Sequence, residues 1–235
     1  FGALEQLGCL GEDVWFKLGD KDLATHILRT RLLRDGVKLS EITRRIRTAL
    51  AVRSEILPMS DERVETRVFT SQGEMSFQEY FVRERWAPEV TRVSFAGVER
   101  SSPAPRVLGA IRSAAAIVVC PSNPVTSIGP ILSVPEIRQA LVESQCKIIG
   151  VSPIVAGRAV SGPAHKLMKI QGLEPSATGV ARGYADFLDV LLIAVGDRDE
   201  QREIEKLGVQ PVTTNVAMND MAGKRRLARE VLALL

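Results

Sequence analysis

The spacing of apolar residues changes character along the chain. In DLATHILRTRLLR (22–34), Leu23, Ile27, Leu28 and Leu32 fall on one side of a 3.6-residue turn. That spacing predicts a helix with Asp22 as N-cap and Gly36 at its end. LSEITRRIRTAL (39–50) predicts a second helix, opened by Ser40. Alternation then replaces the helical period. VETRVFTSQGEMSFQEYFV (64–82), with a turn around Gly73, predicts a β-hairpin, and EVTRVSFAG (89–97) a further strand. From residue 103 helical segments alternate with short unbroken apolar runs: helix 103–114, strand 115–120, a helix from Ser133, strand 147–151, a helix from Ser161, strand 189–194, a short strand 211–214 and helix 219–234. SVPE (133–136) has the form of a capping box, with Ser133 as N-cap, Glu136 at N3 and Pro135 in the first turn. Strands alternating with helices predict right-handed βαβ units and a parallel sheet. Apolar runs without alternation, including Cys120 at the end of the first, predict strands buried on both faces. The expected fold is α/β: a parallel core over 101–235 and a smaller α+β section over 1–100, forming one structural domain.

Composition narrows the function classes. With 235 residues, 45% hydrophobic and 25% charged, the chain can bury a sizeable core. A net charge of +3 gives no electrostatic argument for nucleic acid. RRIR (44–47) reads as a solvated helix face. No apolar run reaches the length of a membrane helix. Three scattered cysteines and two histidines exclude the usual zinc spacings and fit a reducing cytoplasm. The chain opens inside a helical pattern, FGALEQLG, so the true N-terminus is expected upstream of Phe1.

Candidate chemistry concentrates in two loops. VVCPSNPVTSIGPILSVPEI (118–137) leaves a strand through Ser122, Asn123 and Pro124 and continues through Ser127, Gly129 and Pro130. IIGVSPIVAGRAVSGPAHK (148–166) leaves the next strand through Ser152 and Pro153 and enters a helix through Ser161, Gly162 and Pro163. Ligands of parallel α/β sheets bind beyond the carboxyl ends of the strands. Small hydroxyls, close-packing glycines and rigid prolines at two successive strand ends form a preorganised cradle for a nucleotide or diphosphate, held by hydroxyls and N–H groups without formal charge. The plainer alternative is that serine and proline simply form loops. His165 and Lys166 follow in the first turn of the helix, either facing the phosphates or lying on a solvated face. A second cluster lies in FKLGDKDLATHILRT (16–30), where Asp22, His26 and Arg29 share a helix face behind Asp20. Spacing alone favours a solvated face there. ILPMSD (56–61) ends in a third polar loop containing Ser60 and Asp61.

Taken in order, LGDKDLATHILRT, ILPMSDERVET, FQEYFV, PSNPVTSIGPILSVPEIR, VSPIVAGRAVSGPAHKLM and GVARGYADFLDVLLI resemble the 2-phospho-L-lactate transferases of coenzyme F-420 biosynthesis over essentially the whole chain. The resemblance implies a Rossmann-like sheet with helices on both faces and an added, partly helical section. It also implies a magnesium-dependent, dimeric enzyme. Such an enzyme moves a phospholactyl or phosphoenolpyruvyl group from a guanosine diphosphate ester to the terminal ribityl hydroxyl of a deazariboflavin and releases GMP. On that basis Ser122, Asn123, Pro124, Ser127, Gly129, Ser152, Ser161 and Gly162 are expected on the nucleotide side, and Lys17 by the deazaflavin. Arg29, Ser60 and Asp61 are expected at the substrates, and Asp20, Asp22 and His26 at the chemistry. The family's glycine-rich opening and main metal ligands are expected upstream of Phe1, so the chain by itself is expected to be inactive or poorly folded. SGPAHKLM leans towards phospholactate as the donor acid. Reaction at phosphorus needs in-line alignment and charge neutralisation, which fits the lack of a nucleophilic triad. The competing reading is a non-enzymatic nucleotide-sugar-binding regulator on the same fold, of the gluconeogenesis-factor kind. A dinucleotide oxidoreductase is disfavoured because no GxGxxG follows a strand.

Overall fold

The structure, a computed structural model, describes residues 1–159 and 162–235. Its centre is a parallel sheet of β4 (Ala116–Val119), β5 (Lys147–Val151), β8 (Val190–Ala194) and β9 (Gln210–Thr214), in that spatial order. Alternate residues of the two central strands feed two separate cores. Ile148, Leu191 and Ile193 point into one, and Ile149, Val151, Val190, Leu192 and Ala194 into the other. Sequential right-handed crossovers in one direction carry their helices to one face. That face receives α6 (Ile137–Val142), α7 (Ala164–Ile170), α8 (Ala177–Tyr184) and α9 (Gln201–Glu205). The other face is covered by α10 (Met221–Leu232), through Leu227 and Val231. This is the α/β architecture expected from the alternating pattern.

The first hundred residues hold α1 (Gly2–Cys9), α2 (Asp20–Arg34), α3 (Leu39–Ala49) and an antiparallel sheet in the order β2 (Gly73–Ser76), β1 (Glu65–Thr70), β3 (Val90–Ala96). Val68, Val90 and Val93 from this sheet join Ile148, Leu167 and Leu191 in one buried cluster, which ties the two sections together.

Several local expectations are corrected. Gly19, not Asp22, is the N-cap of α2. Lys38, not Ser40, precedes α3; the Asp61 carboxylate reaches in from a distant loop and accepts the Ser40 N–H at 2.6 Å and the hydroxyl at 3.0 Å. The expected capping box is absent. Pro135 drives Val134 into an extended conformation (ψ 127°), which ends α5 (Gly129–Ser133). The Ser133 hydroxyl donates back to Gly129 O, and Glu136 takes a positive φ of 69° before α6 begins. The helix expected at 103–114 is α4, only Val107–Arg112. FQEYFV leaves the hairpin and winds into a single wide turn, Glu79–Arg83, in which Glu84 N–H donates to Glu79 O five residues back. Cys120 is exposed, because β4 is an edge strand among the described residues. The helix read from Ser161 begins at Ala164, and Ser161 itself lies outside the described residues.

Candidate functional site

Strands β4 and β5 are parallel neighbours in register, Ile117 beside Ile148 and Val119 beside Gly150, so the two serine–proline loops leave the same sheet edge side by side. Together they border a cavity of about 440 Å³. The β4 loop contributes Pro121, Ser122, Asn123, Thr126 and Ser127; the β5 loop and α7 contribute Ser152, Pro153, Ala159, Gly162, Pro163 and Ala164. Two further walls come from outside these loops. Phe77, just after β2, and Phe81, on the wide turn, come from the first section, and Val216, Met218 and Asn219 follow β9.

The loop side chains divide into those that shape the backbone and those that face the cavity. Asn123 Oδ1 accepts the N–H groups of Val125 (2.9 Å) and Thr126 (3.3 Å), fixing the turn Pro124–Ile128 that Pro124 initiates. Ser152, almost fully buried, closes a local ring: its hydroxyl donates to Ile154 O at 3.0 Å and accepts from Ile154 N–H at 3.2 Å. Thr126 differs, because its buried hydroxyl has no partner among the described residues. An unpartnered buried hydroxyl costs free energy, so it is a candidate contact for a bound ligand. Pro124 and Gly129 lie behind the loop, against a second cavity of about 380 Å³ that also touches Phe95, Leu132 and Tyr184. Gly129 has a packing role there: a Cβ would sit 3.1 Å from the Phe95 ring and from Pro124 O.

Among the described residues no charged side chain lines the first cavity. An anion placed in it would meet hydroxyls and backbone N–H groups. The nearest buried carboxyl in the fold of the β5 loop is Asp197, past the end of β8. Its Oδ1 accepts the Ala156 N–H at 2.7 Å and so pins the tip of the small hairpin β6 (Ile154–Val155) and β7 (Arg158–Ala159) that leads to Gly162. Burial raises the Asp197 pKa above the usual carboxylate range, against the lowering effect of the Ala156 N–H; Glu200 and Asp199 add to the rise.

The second expected cluster is not brought to the cavity. Asp20 caps α1, accepting the N–H groups of Gly2 (3.2 Å) and Ala3 (3.1 Å) and the amino group of Phe1 (3.0 Å). Lys17, Asp22 and His26 are exposed and Arg29 is half-buried on α2. Ser60 is buried, with its hydroxyl between Glu62 Oε2 (2.6 Å) and Ser102 O (2.7 Å), and Asp61 caps α3 as described. Lys166 bridges the two sections by donating to Trp86 O at 3.0 Å. Sequence reasoning missed Phe77, Phe81, Met218 and Asn219. The last two were open to the strand-end rule applied to β9, the fourth parallel strand.

The family model of 2-phospho-L-lactate transferase CofD matches residues 5–232. The chain belongs to this family. A Methanosarcina mazei protein named 2-phospho-L-lactate transferase is 40% identical over 232 residues, covering 99% of this chain and 76% of the relative. A Streptomyces griseus protein named phosphoenolpyruvate transferase is 41% identical over 240 residues, covering 100% of this chain and 76% of the relative. Protein BH3568 of Bacillus halodurans, a solved structure, superposes with a TM-score of 0.64 at 16% identity over 92% of this chain and 75% of its own. That likeness shows the fold alone. The family match decides between enzyme and regulator: this CofD-family chain is a transferase of coenzyme F-420 biosynthesis. Among the described residues no helix is long and apolar enough to cross a membrane.

Proposed function

We propose that this transferase moves a phospholactyl group from a guanosine diphosphate ester to the terminal ribityl hydroxyl of 7,8-didemethyl-8-hydroxy-5-deazariboflavin, releasing GMP, with the phosphoenolpyruvyl ester as the alternative donor. The observation that carries the reading is the single cavity formed where the β4 and β5 loops meet. In it Ser122 and Ser127 offer neutral hydrogen-bonding groups to a diphosphate, with the buried Thr126 hydroxyl behind them, and the prolines hold the loops in place before binding. Transfer between two oxygens at phosphorus demands alignment of acceptor hydroxyl, phosphorus and leaving GMP. A preformed cradle supplies that alignment without a covalent intermediate on the protein.

Magnesium is part of the proposal, but the described residues do not assemble its site: no group of three or more His, Cys, Asp and Glu side chains is placed to hold a metal ion. No step is assigned to it here. The cytoplasm is the proposed compartment, supported by three free cysteines, and a homodimer the proposed assembly, to be read from the mass in solution. The test incubates the protein with magnesium, the deazariboflavin and each guanosine diphosphate ester in turn. A deazaflavin heavier by one phospho-acid unit, formed in step with GMP, establishes the transfer and names the donor. Binding of both esters and of the deazariboflavin with no transfer from either ester overturns the proposed reaction.

A further inference from the structure

Part of the cavity wall is aromatic. On the wide turn Glu79–Arg83, Tyr80 is fully buried, whereas Phe81, and Phe77 two residues before the turn, are only partly buried and border the cavity. The rings form a column: Phe77 and Phe81 stack with centroids 5.5 Å apart and planes at 17°, and Phe81 and Trp86 at 5.4 Å and 23°. Two devices hold the column in place. Arg85 and Trp86 are consecutive non-glycine residues in the left-handed region, both at φ 48°, a conformation that disfavours side chains. The Trp86 carbonyl is fixed by Lys166 Nζ at 3.0 Å and faces the Tyr80 hydroxyl at 3.4 Å, and the Trp86 N–H donates to Tyr80 O. From the other side Gly162, at φ +70°, lies so close that a Cβ would stand 2.9 Å from Phe81 Cε2. The β5 loop thus packs directly on the ring that the first section supplies.

We propose that the Phe77–Phe81 pair is the ring-recognition subsite of the cavity and takes a planar heteroaromatic ring, while the β4 loop takes the phosphates. The inference rests on the nucleotide reading of the cavity given above. Base–aromatic stacking suits such a wall because any flat heterocycle offers a π-face. Both substrates of the proposed reaction carry one, the guanine of the donor and the tricyclic ring of the acceptor.

Equilibrium binding of GDP and of the deazariboflavin to the wild type, Phe77→Leu, Phe81→Leu and Phe81→Tyr tests the subsite and assigns its ring. Leucine keeps an apolar side chain and removes the π-face; tyrosine keeps the face. The expected result is a loss of about tenfold or more for one of the two ligands in both leucine variants, a change of less than about threefold for the other, and retention in the tyrosine variant. GDP as the weakened ligand assigns the wall to the donor base, and the deazariboflavin assigns it to the acceptor. Unchanged binding of both ligands to the leucine variants overturns the subsite and leaves the cavity reading standing. So does an equal loss of both, or an equal loss in the tyrosine variant, since each marks a packing role. A wild type that binds neither ligand overturns the cavity reading itself, and the subsite with it. If Phe81→Leu does not fold, Phe77→Leu, at the end of the column, carries the same comparison.

Discussion

Asp61 separates two readings of one loop. By resemblance it is a substrate contact; in the structure it is the cap of a helix on another segment. Its two carboxylate oxygens take the Ser40 N–H at 2.6 Å and the Ser40 hydroxyl at 3.0 Å, both half-buried. Losing an N-terminal cap costs about 1 kcal/mol, and a second hydrogen bond to an ionised acceptor about 1 kcal/mol more after partial hydration. Asp61→Ala should therefore destabilise the protein by about 2 kcal/mol. At roughly 2–4 °C per kcal/mol for a chain of this size, the thermal midpoint should fall by about 4–8 °C. Asp61→Asn retains an acceptor oxygen and should recover about half of the loss. Thermal unfolding of the three proteins, paired with KM for both substrates, is the assay. A midpoint within about 1 °C of the wild type together with a KM raised about tenfold would refute the structural role and return Asp61 to the substrate site.

Three further outcomes follow from the same geometry. Thr126→Val removes a buried hydroxyl that has no partner among the described residues, so urea unfolding should show equal or slightly greater stability, while the affinity for GDP falls by about two- to tenfold, the worth of one neutral hydrogen bond. The Asp197 pKa is raised in the folded protein, so its stabilising contribution is complete below the ordinary carboxylate range and is lost as pH rises through the raised value. Asp197→Asn keeps an acceptor for the Ala156 N–H without titrating, so its urea midpoint should gain on the wild type as pH increases across that window; a difference constant with pH contradicts this. Chelation of magnesium should abolish group transfer; turnover retained in excess chelator contradicts the proposed metal dependence.

The strands were the most legible part of the sequence. KIIGV and VLLIA are unbroken apolar runs, and both are central strands with every residue but Lys147 buried. Such a run has no polar side to leave ambiguous. Helix ends were less legible because their caps act across long sequence separations, as Asp61 does for Ser40. The helix α8 was missed altogether. ATGVARGY is short, with small residues, two glycines and no leucine stripe, and Ala177, Thr178, Gly179, Val180 and Ala181 are all buried, so the usual run of large apolar side chains at helical spacing is missing. Gly179 is required there, since a Cβ would stand 1.8 Å from Glu174 O. The loop half of the cavity was visible because strand-end loops rich in serine and proline have a mechanism attached. The aromatic half was hidden by an ambiguity of period: Phe77 and Phe81, four apart, fit both a strand and a helical turn, and the alternating neighbours favoured the wrong one. Asp22, His26 and Arg29 do share one helix, as their spacing indicated, but spacing carries no information about what a face meets, and this one is largely exposed.

The uncharged lining that the described residues give the cavity bears on how the protein would meet a ligand there. Ionic atmospheres weaken attraction between a fixed charge and an oppositely charged visitor. Where hydroxyls and peptide N–H groups do the holding, added salt has no local counter-charge to screen. On the proposed reading, anion capture would be a short-range event of shape and hydrogen bonding, with little long-range pull. Its dissociation constant should vary little with ionic strength, unlike that of a lysine- or arginine-lined phosphate site.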